Sequence, residues 1–276
     1  MLTFFIFILL FGICYVKIIE RLFHTKFTDF SIPMYFSLGL IFVIDLYYAL
    51  AFLYLSKTVI LLSLALCFTF LGIVFFKDKK DKSISLYNRK SVLLNHLITL
   101  FLSLLSLIIF TRIAYIMQIF TGLDPLTHGM YVSLILYHKK FPNSLKPILK
   151  FNFNIWRYPM GFHILSALVS ILHNTPPARS MLITASVITM MIPLLFYEIT
   201  YRITKRIRWG LLSFFVPFIL PIYFEPPGWR YFDILISPYQ LGAYPNILGN
   251  FIFLSIIALL IYAKDKDLYV KIAQQA

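Results

Sequence analysis

Apolar residues in this chain fall in long unbroken runs, not in the spaced stripe of a soluble helix or the alternation of a half-buried strand. Runs over 2–17, 32–55, 58–76, 92–119, 180–201, 209–224 and 247–263 carry almost no charge. A helix rises about 1.5 Å per residue, so about 20 apolar residues cross a hydrocarbon layer about 30 Å thick. The pattern predicts an all-α polytopic membrane protein with about seven transmembrane helices. One further apolar stretch, 158–173, is short and bounded by Pro159 and by Pro176-Pro177. It reads as a helix lying at the membrane surface and not as a crossing.

The polar positions between the runs set an orientation. Basic residues crowd into Lys17, Arg21 and Lys26, then Lys77 to Lys90, then Arg202, Lys205, Arg206 and Arg208, and finally Lys264, Lys266 and Lys271. Alternate crossings place all four clusters on one side, which the positive-inside rule makes the cytoplasm. The N-terminus is then expected outside the cell membrane and the tail, 264–276, inside. If 158–173 does not cross, residues 120–179 form one large external loop containing short interfacial helices, and Glu225 to Asn246 form a second. The run from Met1 lacks a basic start and a small-residue cleavage site, so it reads as a retained helix.

Composition agrees with the membrane class: 60% of residues are hydrophobic, 13% are charged, and there are 29 Phe and 18 Tyr. The net charge of +14 would suggest nucleic acid in a soluble protein. Here the cations sit in short loops, where they serve topology and anionic headgroups, and no nucleic-acid partner is expected. Cys14 and Cys67 both fall inside apolar runs and read as small hydrophobes, not as a disulfide or metal ligands.

Most carboxylates have plain roles. Asp78, Asp81, Asp265 and Asp267 alternate with lysines, and Glu198 is spaced to pair with Arg202 one turn on. Asp45 lies within a span, where a carboxylate is expensive and faces a partner, a cavity or a hydrogen bond, or else takes up a proton. Asp124 follows directly on a span, in Thr121-Gly122-Leu123-Asp124-Pro125-Leu126-Thr127-His128. One reading of Asp124 is a helix cap. The other uses His128, which a helix begun at Asp124 brings onto the same face. A carboxylate beside an imidazole can act as a general base or take a divalent metal ion.

Downstream, Lys146, Lys150 and Arg157 are interleaved with Phe151, Phe153, Trp156 and Tyr158. Such a surface suits either anionic headgroups or a lipid-borne phosphate. Arg157-Tyr158-Pro159-Met160-Gly161-Phe162-His163 opens the short helix and is expected to turn His163 to the same external layer as Asp124.

An Asp just outside a span, a His soon after, and a Tyr-Pro-x-Gly-x-His stretch opening a second short helix together resemble the first external loop of GT-C superfamily glycosyltransferases. Gly242-Ala243-Tyr244-Pro245-Asn246 is similar to the Gly-Tyr-Pro element that precedes a later span in such proteins. The resemblance covers about residues 91–263, with 1–90 as transmembrane helices ahead of that core. It implies sugar transfer from a polyprenyl-phosphate or polyprenyl-pyrophosphate carrier to an acceptor at the outer membrane face.

Within that scheme Asp124 is the base, with His128 and His163 assisting a metal or the donor phosphate. Asp124 and His128 are the metal candidates. Lys146, Lys150, Arg157, Tyr158 and Tyr244 are the candidate substrate contacts. The expected partners are the carrier-linked sugar, membrane lipids and a second membrane subunit. The chain departs from the family in two ways: Pro125 stands where many members keep a second acid, and members usually have more spans after this region. The alternative is therefore a non-catalytic scaffold or carrier-lipid-binding subunit of a glycan or envelope assembly system.

Overall fold

The computed structural model of the chain describes residues 1–23, 27, 30–78, 86–116, 123–141, 160–223 and 244–265. These form α1 (Leu2–Leu22), α2 (Ile32–Leu53), α3 (Lys57–Asp78), α4 (Leu86–Ile116), α5 (Leu123–His138), α6 (Gly161–His173), α7 (Pro177–Thr189), α8 (Ile192–Thr204), α9 (Ile207–Tyr223) and α10 (Tyr244–Asp265). No strand occurs among the described residues. Among the described residues, six stretches are long and apolar enough to cross a membrane: Leu2–Leu22, Ile32–Leu53, Lys57–Val74, Leu93–Arg112, Pro177–Thr204 and Asn246–Lys264. The remaining predicted span corresponds to α9, which at 17 residues is shorter.

The crossing at Pro177–Thr204 joins α7 and α8 through a break at Met190–Met191. Pro193 explains the break: it has no N–H to offer the carbonyl of Thr189, four residues back, and its ring crowds that turn. This broken helix is the axis of the bundle. Its apolar window is 89% buried, against 22% for that of α3, which lies at the rim.

Lipid tails are as apolar as leucine, so close backbone approach and polar bonds must hold such helices together. Both are present. In the α1–α2 hairpin, a Cβ added at Gly12 would lie 1.8 Å from the carbonyl oxygen of Tyr35, and one at Gly39 would lie 2.1 Å from that of Ile8. The hydroxyl of Ser255 on α10 donates to Ser37 on α2 at 3.0 Å, and Ser213 on α9 donates to the Phe196 carbonyl on α8 at 3.0 Å. Tyr197 on α8 donates to Asn95 Oδ1 on α4 at 2.9 Å, and both residues are buried.

The bundle has two distinct ends. At the basic end, Arg202 pairs with Glu198 as its spacing predicts, and its guanidinium lies 4.6 Å from the Tyr262 ring centroid of α10. Phe30, just ahead of α2, meets the same ring edge-on at 4.7 Å. At the opposite end, Thr3 of α1 shares a 3.0 Å hydrogen bond with His173 at the close of α6. There too the Leu55 N–H after α2 donates to the Lys139 carbonyl after α5. Arg202 is 6% exposed and Glu198 0%, so replacing Arg202 with Met strands a buried carboxylate. Thermal unfolding in detergent should register a loss of about 3–5 kcal/mol. Glu198→Gln combined with Arg202→Met should recover most of it.

The placement of α6 differs from the sequence expectation. A helix on the membrane surface keeps one face wet, but Phe162 to Ser170 are all buried. At 13 residues α6 is also too short to cross. It sits inside the bundle, packed against α2, α5, α7 and α10. Apart from His163 and His173 its residues are small or apolar on every side, which suits a helix enclosed by others better than one floating at an interface.

Candidate functional site

Two short helices build the site. On α5, His128, Tyr131, Val132, Leu134 and Ile135 are buried, while Leu126 and Tyr137 are exposed, so one face of the helix turns inward. On α6, the first turn lies against the middle of the bundle. A Cβ added at Gly161 would be 3.4 Å from Ile44 Cγ2 of α2 and 3.4 Å from Leu248 Cδ2 of α10. Ile44 is nine residues short of the end of α2 at Leu53.

These placements bring two residues 35 positions apart into direct contact. His128 Nδ1 and His163 Nε2 share a hydrogen bond of 3.0 Å. His128 is 2% exposed and His163 is fully buried. The Tyr131 ring meets His163 edge-on, with centroids 5.2 Å apart, and Phe162 flanks it in the same manner at 5.9 Å. His163 is therefore turned into the protein, against His128, and not toward solvent. Burial, and secondarily the neighbouring His128, hold its imidazole down to about 3, well below the ordinary histidine range.

A neutral buried imidazole can donate from one nitrogen while accepting at the other, so the pair can hold or pass a proton between α5 and α6. Its burial also has a pH signature. Since the folded value lies below the unfolded one (about 6.5), the contribution of His163 is complete above about 6.5 and fades as pH falls toward 3. Thermal stability in detergent should drop between pH 7.5 and pH 5.5 in the native chain. The drop should be smaller in His163→Gln, which cannot titrate.

Asp124 is the second residue of α5, one helical turn ahead of His128; its side chain lies outside the described part of the structure. Lys146, Lys150, Arg157 and Tyr158 lie outside the described residues. Tyr244 opens α10, again without a described side chain. Among the described residues, no group of three or more His, Cys, Asp or Glu is gathered as a metal site. A metal at the pair would have to displace the His128–His163 hydrogen bond or use the other ring nitrogens. Tyr131 was not singled out from sequence. Its spacing of three from His128 is the signal that would have found it.

The fold and its apolar helices define an all-α polytopic membrane protein in contact with lipid. No family model, no curated protein and no solved structure matches the chain.

Proposed function

We propose that the chain is a membrane glycosyltransferase of the GT-C type, moving a sugar from a polyprenyl-phosphate or polyprenyl-pyrophosphate carrier to an acceptor at the outer face of the cell membrane. The observation that carries this reading is the His128–His163 hydrogen bond, with Asp124 one turn before His128 on the same helix. A scaffold has no need to join these two short helices through buried imidazoles. An enzyme that must hold a base at a fixed position does.

Asp124 is the general base in this scheme: it removes the proton from the acceptor nucleophile as that group attacks the anomeric carbon, and the carrier phosphate leaves. The His128–His163 pair positions the start of α5 through its hydrogen bond and touches no substrate itself. Lys146, Lys150 and Arg157 stabilise charge developing on the leaving phosphate. The basic end of the bundle faces the cytoplasm, which leaves the end bearing His173 and Lys139 outside.

Transfer of labelled sugar from polyprenyl-phosphate donors by the purified chain in nanodiscs tests the proposal directly. Incorporation into an acceptor supports it; no turnover with mono- and pyrophosphate carriers alike ends it. Carrier binding should weaken with salt and with Lys146→Ala, Lys150→Ala or Arg157→Ala. Binding indifferent to both would remove the phosphate role.

A further inference from the structure

Two exposed charged side chains on neighbouring apolar helices, Asp45 and Arg112, are of opposite sign. Asp45 is exposed on α2, eight residues before its end at Leu53, and Arg112 is exposed on α4, four residues before Ile116, the last described residue of that helix. Neither makes an ion pair with another described residue. Within a membrane, a carboxylate facing outward from a bundle is expensive unless it meets water or a cation. In this chain the face around Asp45 is otherwise that of a lipid-facing helix, with Ala49 and Phe52 exposed one and two turns on.

Both charges lie in the half of the bundle away from its basic end. The Tyr197–Asn95 bond places the start of α4 near the basic end of the bundle, so α4 runs in the same direction as α2. Asp45 then lies about 12 Å before the end of α2 at Leu53, and Arg112 lies about 26 Å along α4 beyond Asn95, which is held near the basic end. Helical side chains lean toward the N-terminus of their helix. The long Arg112 side chain is thereby directed back along α4, toward the level of Asp45. Phe101, Leu104 and Ile108 are exposed in the turns before Arg112, and the exposed Thr111 hydroxyl is spent on the Leu107 carbonyl of its own helix.

We infer that these two faces are one interface: the chain forms a two-fold dimer in which Asp45 of each copy pairs with Arg112 of the other. A two-fold axis along the membrane normal keeps α2 and α4 parallel and brings both pairs together at once. Ala49, one turn from Asp45, lets the backbones approach. The pairing gives each charge a counter-ion that no described residue of its own bundle provides. This inference is independent of the sugar-transfer reading.

The test uses the full chain, labelled once and reconstituted at low density in lipid vesicles, with subunits counted by photobleaching. The native chain should bleach in two steps. Asp45→Arg and Arg112→Asp should each lower dimer association at least about tenfold, because like charges then face each other in the membrane. The combined variant D45R/R112D restores opposite charges and should dimerise again. As a check independent of charge reversal, Ala49→Cys with Ile108→Cys, in a chain carrying Cys14→Ala and Cys67→Ala, should cross-link between copies on mild oxidation. Single-step bleaching of the native chain would overturn the proposal and leave Asp45 to water or to a different subunit. Native-like dimerisation of both single variants would overturn it equally.

Discussion

Replacing Asp124 with Asn should lower sugar transfer by about 10²–10⁴-fold, the span typical of a lost general base. Asparagine caps a helix about as well as aspartate. If Asp124 only steadies the first turn of α5, in which it is the second residue, the variant keeps both its fold and its activity. If it is the base, the fold survives and the activity does not. The measurement is turnover of labelled polyprenyl-phosphate sugar in nanodiscs, paired with thermal unfolding of the same preparations. Unchanged transfer would remove Asp124 from the mechanism. His128→Ala should act differently: it should lower activity and stability together, because it breaks a buried hydrogen bond on which the α5–α6 contact rests.

The largest effect on stability is expected at Gly12. Alanine is a better helix former than glycine by about 1 kcal/mol, so propensity alone favours Gly12→Ala. Packing decides the other way. The new methyl would lie 1.8 Å from the Tyr35 carbonyl oxygen and 2.7 Å from its carbonyl carbon. These are backbone atoms of α2, which cannot swing aside as the end of a side chain does. Overpacking a core commonly costs about 1–3 kcal/mol, and a backbone clash belongs at or above the top of that range. Gly12→Ala should therefore lower the unfolding midpoint clearly in detergent. Gly72→Ala on α3, with no atom within 4 Å of the added carbon, should be neutral or mildly stabilising. Equal behaviour of the two variants would contradict the close contact of α1 with α2.

The spans were legible because hydrocarbon imposes the same demand on every crossing helix: apolar length. That is why α1, α2, α3, α4, the α7–α8 helix and α10 fall where the runs of the sequence place them. Glu198–Arg202 was legible for a similar reason, since one helical turn fixes their spacing whatever surrounds them. The placement of α6 was not legible. Its length ruled out a crossing, and its apolar character was read as affinity for the interface. The alternative, enclosure by α2, α5, α7 and α10, depends on what the other helices leave open between them. Of the candidate site, His128 and His163 were identified by residue type, but their hydrogen bond joins positions 35 apart and no local spacing encodes it.

By itself, then, the sequence determined an all-α chain threaded through a membrane, with basic clusters between its apolar runs. Transfer of apolar length out of water is a local property, additive along each run, and can be read residue by residue. Only the tertiary structure decided that two short helices turn inward and join their imidazoles, and that Asp45 and Arg112 are left on the outside. Those outcomes come from which helix faces pack together, a competition among non-neighbouring segments that no single stretch of the chain contains.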